Sequence, residues 1–156
     1  MVDTAKAVVR EAGEGDLPRI LALYEQLSAG SSRGGRPLET LSEGQRKVLA
    51  KIQACPDYHL LVAEVDGEVA GTATLYLLPD LDLGGAVWGV VEHVVVDEQL
   101  RGRRYGEALM REIMRRAQAS GCQKLSLNSG NQRLDTHRFY ERLGFQNRSK
   151  GFSFYF

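Results

Sequence analysis

Cysteine is scarce in this chain. Cys55 and Cys122 are the only two, they sit in unrelated surroundings, and no metal-ligand spacing surrounds either, so the sequence indicates neither a zinc site nor a disulfide framework. Both are expected as free thiols in a reducing cytoplasm. Net charge is also missing, because 20 Lys and Arg offset 20 Asp and Glu. No global field then holds the chain on nucleic acid or an anionic membrane, and any anion site must be local. Apolar runs stay well short of the roughly 18 residues that span a bilayer. Met1 to Lys6 has no basic segment followed by an apolar one, so no secretory leader is expected. Internal repeats and low-complexity tracts are absent too.

What is present suits an ordinary folded domain, with 43% hydrophobic and 26% charged residues. A chain of 156 residues buries roughly 68–70% of its unfolded surface without a staple, so residues 1–156 are expected to form one domain. Ala7 to Glu11 reads as a first strand. Gly15-Asp16-Leu17-Pro18 then opens a helix with Asp16 as N-cap, and Leu17, Ile20, Leu23, Tyr24 and Leu27 recur on one face. Ser28 to Pro37, rich in Gly, Ser and Arg, is a loop placed where a substrate lid or a plain surface loop would sit. A second helix is expected over Leu41 to Ala54.

From Tyr58 the period changes. Asp66-Gly67 between the runs Tyr58 to Val65 and Glu68 to Leu78 is a hairpin signal, since a type I′ turn needs positive φ at both central residues. Val87 to Val96 is another strand, and its continuously apolar end predicts burial on both faces. A helix to about Ser120 carries Leu109, Met110, Ile113, Met114 and Ala117 on one face, with Arg111, Arg115 and Arg116 behind it toward solvent. Lys124 to Asn128 is a fifth strand, Arg133 to Leu143 a helix stopped by Gly144, and Phe145 onward one or two closing strands. The order β-α-α-β-β-β-α-β-α-β predicts a mixed sheet with helices on it.

Chemistry concentrates where the strand ending Val94-Val95-Val96 runs into Asp97-Glu98-Gln99-Leu100-Arg101-Gly102-Arg103-Arg104-Tyr105-Gly106 and a helix. The first turn of a helix offers unpaired N–H groups and about half a positive charge, so an anion gains hydrogen bonds and favourable electrostatics there. Gly102 and Gly106 let the backbone approach, and Arg101, Arg103 and Arg104 add donors suited to phosphate oxygens. A Walker loop would need Lys then Ser or Thr after its second glycine, where this chain has Glu107-Ala108. A dinucleotide fingerprint needs glycines at positions one, three and six, whereas Gly102 and Gly106 are four apart.

Arg101-Gly102-Arg103-Arg104-Tyr105-Gly106 after an apolar strand resembles the signature of the GNAT superfamily of N-acetyltransferases. The hairpin with Asp66-Gly67-Glu68-Val69-Ala70-Gly71 and the run Arg138-Phe139-Tyr140-Glu141-Arg142-Leu143-Gly144-Phe145 extend the resemblance over nearly the whole chain. Arg104 stands where the family usually has glycine, so its backbone must avoid positive φ or accept strain. The resemblance implies an α/β fold in which a mixed central sheet, flanked by helices, opens a V-shaped cofactor cleft. It implies acetyl-coenzyme A as cosubstrate, with no metal. The pantetheine arm would pair with the backbone of Val94, Val95 and Val96, the pyrophosphate would rest on Arg101, Gly102, Arg103, Arg104, Tyr105 and Gly106, and Asn128 would bond the arm. Arg133 and Thr136 replace the Asn and Ala that the family often has before the tyrosine.

Tyr140 would touch the cofactor and give a proton to the departing thiolate, or else be a buried core tyrosine. Glu92 is expected two residues before Val94 on the same strand face, either accepting the amine's proton or serving as a structural carboxylate. Strand alternation sends His93 to the opposite face, and His59 and His137 are assigned to structure or surface. Val91 to Asp97 is similar to eukaryotic-type glucosamine-6-phosphate N-acetyltransferases, and the hairpin with His137-Arg138-Phe139-Tyr140 to aminoalkylphosphonate acetyltransferases. The expected activity is acetyl transfer to a primary amine of a small molecule in a ternary complex, with the amine itself left open. A non-catalytic acyl-coenzyme A-binding regulatory module is the alternative, and a nucleic-acid-binding helix is disfavoured by the charge balance. The aromatic end, Phe152, Phe154, Tyr155 and Phe156, points to a homodimer, or else folds back onto the monomer's own core.

Overall fold

A computed structural model of the chain describes residues 7–28, 42–82, 84–154 and 156. The loop singled out as a candidate lid lies, after Ser28, outside the described residues. The chain divides into two compact units, Met1–Ser126 and Leu127–Phe156, and each is described by itself.

The first unit holds β1 (Val8–Glu11), α1 (Leu17–Ser28), α2 (Glu43–Ala54), β2 (Tyr58–Val65), β3 (Glu68–Pro79), β4 (Val87–Val96), α3 (Tyr105–Ala119) and β5 (Cys122–Leu127). The sheet order follows the chain, β1-β2-β3-β4-β5, and the first four strands pair antiparallel. β5 reaches β4 through the helical crossover α3, the connection that a mixed sheet requires. It begins two residues earlier than expected, because Gly121 at φ 73° reverses the chain at once.

Local signals explain the elements. Asp66 and Gly67 both take positive φ, as the I′ turn demands. Ser42 caps α2 by a reciprocal box with Gln45, Gln45 N–H donating to Ser42 Oγ and Ser42 N–H to Gln45 Oε1. Asp16 does not cap α1 directly. It ends a 3-10 turn, Glu14–Asp16, where its carboxylate accepts from Gly13 N–H and holds Arg10.

Two cores cover the two faces of the sheet. Ala12, Leu17, Ile20, Leu23, Leu49, Leu60, Val62, Val69 and Val95 form the core under α1 and α2. Leu61, Ala73, Leu75 and Val91 are buried on the other face, which α3 covers with Leu109, Met110 and Ile113. Each large side chain so buried stabilises by roughly 1.5–3 kcal/mol against exposure. Met114, expected in this core, is at its exposed rim, and Arg116 is not solvated but pairs with Glu11 and Glu112.

β4 carries a bulge. Thr72 pairs with Val95 and Thr74 with Glu92, so two residues, His93 and Val94, oppose Ala73 alone. His93 takes φ 54° to accommodate the extra residue. Alternation therefore flips within the strand: Val91 lies opposite Leu75 while Val95 joins the α1 core. Two expectations fall with it. Glu92 and Val94 do not share a face, and His93 does not point away from Glu92, since its ring lies 4.9 Å from that of Tyr24 on α1. The apolar end of β4 is also less buried than expected, with Val94 and Val96 half-buried.

The second unit contains α4 (Leu134–Arg142). Gly144, at φ 97°, closes it as a Schellman motif, with Gly144 N–H donating to Glu141 O and Phe145 N–H to Tyr140 O. Among the described residues after Phe145 no strand forms, contrary to expectation. Extended chain becomes a strand only where a neighbour accepts its ladder, and Phe152, Phe154 and Phe156 are exposed.

Candidate active site

The turn after β4 is built to be rigid. Asp97 N–H donates to Ala70 O, Gln99 N–H to Asp97 Oδ1, and Arg101 Nε to Val96 O. Asp97 also receives Arg19 and Gln26 from α1. Burial alone would raise the Asp97 carboxyl, but the hydrogen bonds from Gln99, Arg19 and Gln26 together hold it below the ordinary carboxylate range.

The loop then presents its backbone. Gly102 lies at φ 79° and Arg104 at φ 66°, so Arg104 adopts the left-handed conformation in which a side chain costs about 1–2 kcal/mol. Arg104 is the N-cap of α3, and its own side chain makes no cap hydrogen bond. Tyr105 is buried and anchors the first turn, Gly106 is half-buried, and Arg101, Arg103 and Arg104 are exposed. Three guanidinium groups, two close-approach glycines and a helix start fit a phosphate group or a pair of them. Val94 and Val96 are half-buried on the strand that feeds this loop, while the Val95 side chain is committed to the α1 core.

The face of β3 and β4 that α1 covers carries a cluster that sequence reasoning missed. Tyr76 OH donates to Tyr58 OH at 3.1 Å, and the two rings meet edge to face with centroids 4.5 Å apart. Burial pushes the Tyr24 phenol up to about 12. Burial likewise raises Tyr76, helped by the bond to Tyr58 and by the nearby charge of Glu92. Glu92 stands opposite Thr74, whose side chain is fully buried. Thr74 Oγ1 has no partner at hydrogen-bond geometry, although the Tyr24 phenol comes close.

In the second unit Tyr140 is buried, its ring 5.2 Å from Phe139 and 5.8 Å from Phe145. The Schellman turn fixes Phe145, and α4 itself carries Phe139. Asn128, just past β5, is exposed, and the absence of a side chain on Gly151 admits its amide, since a Cβ there would lie 3.0 Å from Asn128 Oδ1. His137 bonds Gly130 O, and His59 bonds Glu11. Cys55 and Cys122 are free thiols.

Comparison with known proteins identifies the family. The model of the acetyltransferase (GNAT) family matches residues 22–145. Glucosamine 6-phosphate N-acetyltransferase of Trypanosoma brucei brucei is 29% identical over 148 residues, 94% of this chain and 93% of that one. Aminoalkylphosphonate N-acetyltransferase of Salmonella typhimurium is 32% identical over 58% of each chain. A solved structure from Agrobacterium tumefaciens, assigned provisionally as an acetyltransferase, superposes with a TM-score of 0.84 at 34% identity, covering 95% of this chain and 99% of that one.

Proposed function

Because the chain belongs to the acetyltransferase (GNAT) family and is an N-acetyltransferase, we propose that it takes acetyl from acetyl-coenzyme A and gives it directly to a primary amine of a small molecule. The observation that carries this reading is the start of α3 behind Gly102, where the N-cap Arg104 makes no side-chain cap bond and Arg101, Arg103 and Arg104 are all exposed. A pyrophosphate placed on Arg101 to Gly106 would satisfy the orphan N–H groups of the first turn and offset the local positive charge.

Acetyl-coenzyme A, when bound, supplies a thioester carbonyl and a thiolate leaving group. The chain's own groups do the rest. The backbone of Val94, Val95 and Val96 takes the pantetheine arm as an added strand, with Asn128 bonding it. Glu92 accepts the proton of the attacking amine, directly or through water, and Tyr140 donates a proton to the departing sulfur. The role of Glu92 draws on its place opposite Thr74 and next to His93, whose ring meets Tyr24 of α1. The reading includes a cytoplasmic homodimer, supported by the free thiols and by the exposed Phe152, Phe154 and Phe156.

Initial rates measured with both substrates varied test direct transfer. Intersecting double-reciprocal lines and an acetylated amine seen by mass are expected. Parallel lines, which mean that acetyl passes through the enzyme, would overturn it.

A further inference from the structure

Building on the proposed reading, we infer that Tyr24, Tyr58, Tyr76, Thr74 and Glu92 form the acceptor subsite, and that it takes an ammonium group carried on an uncharged apolar or aromatic body. All five lie in one compact unit and on one face of the sheet. The pairs Thr74 with Glu92, and Tyr58 with Tyr76, are set by strand register, and α1 brings Tyr24 over them.

The chemistry of this cluster is selective. Two aromatic pairs, Tyr58 with Tyr76 and Tyr24 with His93, flank Glu92, and ring faces attract a cation while accepting an apolar body. Glu92 is the carboxylate among them, and its charge is felt at Tyr76. Thr74 places a buried hydroxyl opposite Glu92 and beside the Tyr24 phenol, so the polar groups of the cluster converge on one side of the carboxylate.

The same face is poorly suited to a phosphorylated acceptor. Arg19 of α1 is paired with Asp97 and Arg46 of α2 with Glu14, while Lys47 is paired with Glu43. Lys51, also on α2, is exposed. His59 lies beside Tyr58 but meets Arg116 and Glu11 instead. The described groups that face the cluster are therefore the phenols of Tyr24, Tyr58 and Tyr76, one carboxylate and the exposed His93. Arg33 and Arg36 lie outside the described residues, so the test includes phosphorylated acceptors.

At saturating acetyl-coenzyme A, kcat/KM is measured for phenethylamine, hexylamine, glucosamine 6-phosphate and 2-aminoethylphosphonate. The two apolar amines are expected to exceed the two anionic ones by about tenfold or more. Tyr24→Leu and Tyr76→Leu are expected to raise the acceptor KM by about tenfold and leave the KM for acetyl-coenzyme A unchanged, whereas Tyr76→Phe, which keeps the ring, restores most of it. Preference for either anionic amine overturns the inference while the proposed function stands, and so does turnover of none of the four by an enzyme that still binds acetyl-coenzyme A. An unchanged acceptor KM in both folded leucine variants also overturns it. The wild-type comparison needs no variant to fold. Failure to bind acetyl-coenzyme A at all would instead remove the proposed function, and this subsite with it.

Discussion

Arg19 Nη2 of α1 lies 2.5 Å from Asp97 Oδ2 at the end of β4, so a helix from the start of the chain fastens the turn that leads into the arginine loop. The same Arg19 donates through Nε to Val69 O, and Gln26, about two turns further along the same face of α1, donates to Asp97 and accepts from Glu98 N–H. Asp97→Asn removes the charge but keeps the shape. It should destabilise the fold by about 1.5–3 kcal/mol, since hydrogen bonds to a charged group are lost in a largely buried place. Because the loosened turn precedes Arg101, the KM for acetyl-coenzyme A should rise more than kcat falls. Denaturant titration and initial rates would read both, and an unchanged KM in the folded variant would separate this network from the loop.

Arg104→Gly gives a prediction of opposite sign. Relief of the left-handed strain gains about 1–2 kcal/mol and the added freedom of glycine costs about 0.5–1 kcal/mol. The variant should therefore be slightly more stable, by about 0.5–1 kcal/mol, yet bind acetyl-coenzyme A somewhat more weakly for lack of one guanidinium. Destabilisation in urea would show that the Arg104 side chain stabilises the loop in another way.

Glu112 links folding to pH. Its carboxyl is held down to about 2, first by the hydrogen bond from Arg115, against burial, and further by Arg116. Since the folded value lies below the unfolded one, the stabilisation is complete above the ordinary carboxylate range of about 4.3 and is lost as pH falls from there toward 2. Arg115 is mostly exposed, so solvent screens much of the effect. Melting temperature should drop across that window, and Glu112→Gln should flatten the drop. Equal slopes in both proteins would mean that other carboxylates carry it.

Much of the architecture could be read from short signals with a local mechanism. Asp66-Gly67 fixed its hairpin turn, Gly144 its Schellman stop, and the spacing from Arg101 to Gly106 located a helix start. The cluster of tyrosines was not legible, because register decides it. A regular hairpin from Asp66-Gly67 sets Tyr58 opposite Leu75, and the irregularity between Ala63 and Glu64 shifts the pairing by one, to Tyr76. The bulge in β4 was hidden as well. It places His93, a residue without glycine's freedom, at positive φ, and nothing in Val91-Glu92-His93-Val94 marks it. The closing strands expected from Phe145 onward had no pairing partner that local sequence could supply.

Tyr140→Phe keeps the ring contacts with Phe139 and Phe145 and removes only the hydroxyl. If the phenol donates to the leaving sulfur, kcat should fall by about 10²-fold, the low end for general-acid assistance, because a thiolate with an ordinary pKa of about 8.5 leaves fairly well unaided. Affinity for acetyl-coenzyme A and melting temperature should hardly change. Full activity with lowered stability would make Tyr140 a core residue whose hydroxyl serves packing.

The central claim is that the arginine loop and the start of α3 hold acetyl-coenzyme A, and calorimetric titration of the purified chain with acetyl-coenzyme A tests it most directly. The wild-type protein should bind one equivalent, and Arg101→Ala with Arg103→Ala should weaken binding by about tenfold, as expected for two solvent-exposed charge contacts. No binding to the wild type at millimolar ligand, or equal affinity in the double variant, would contradict the account.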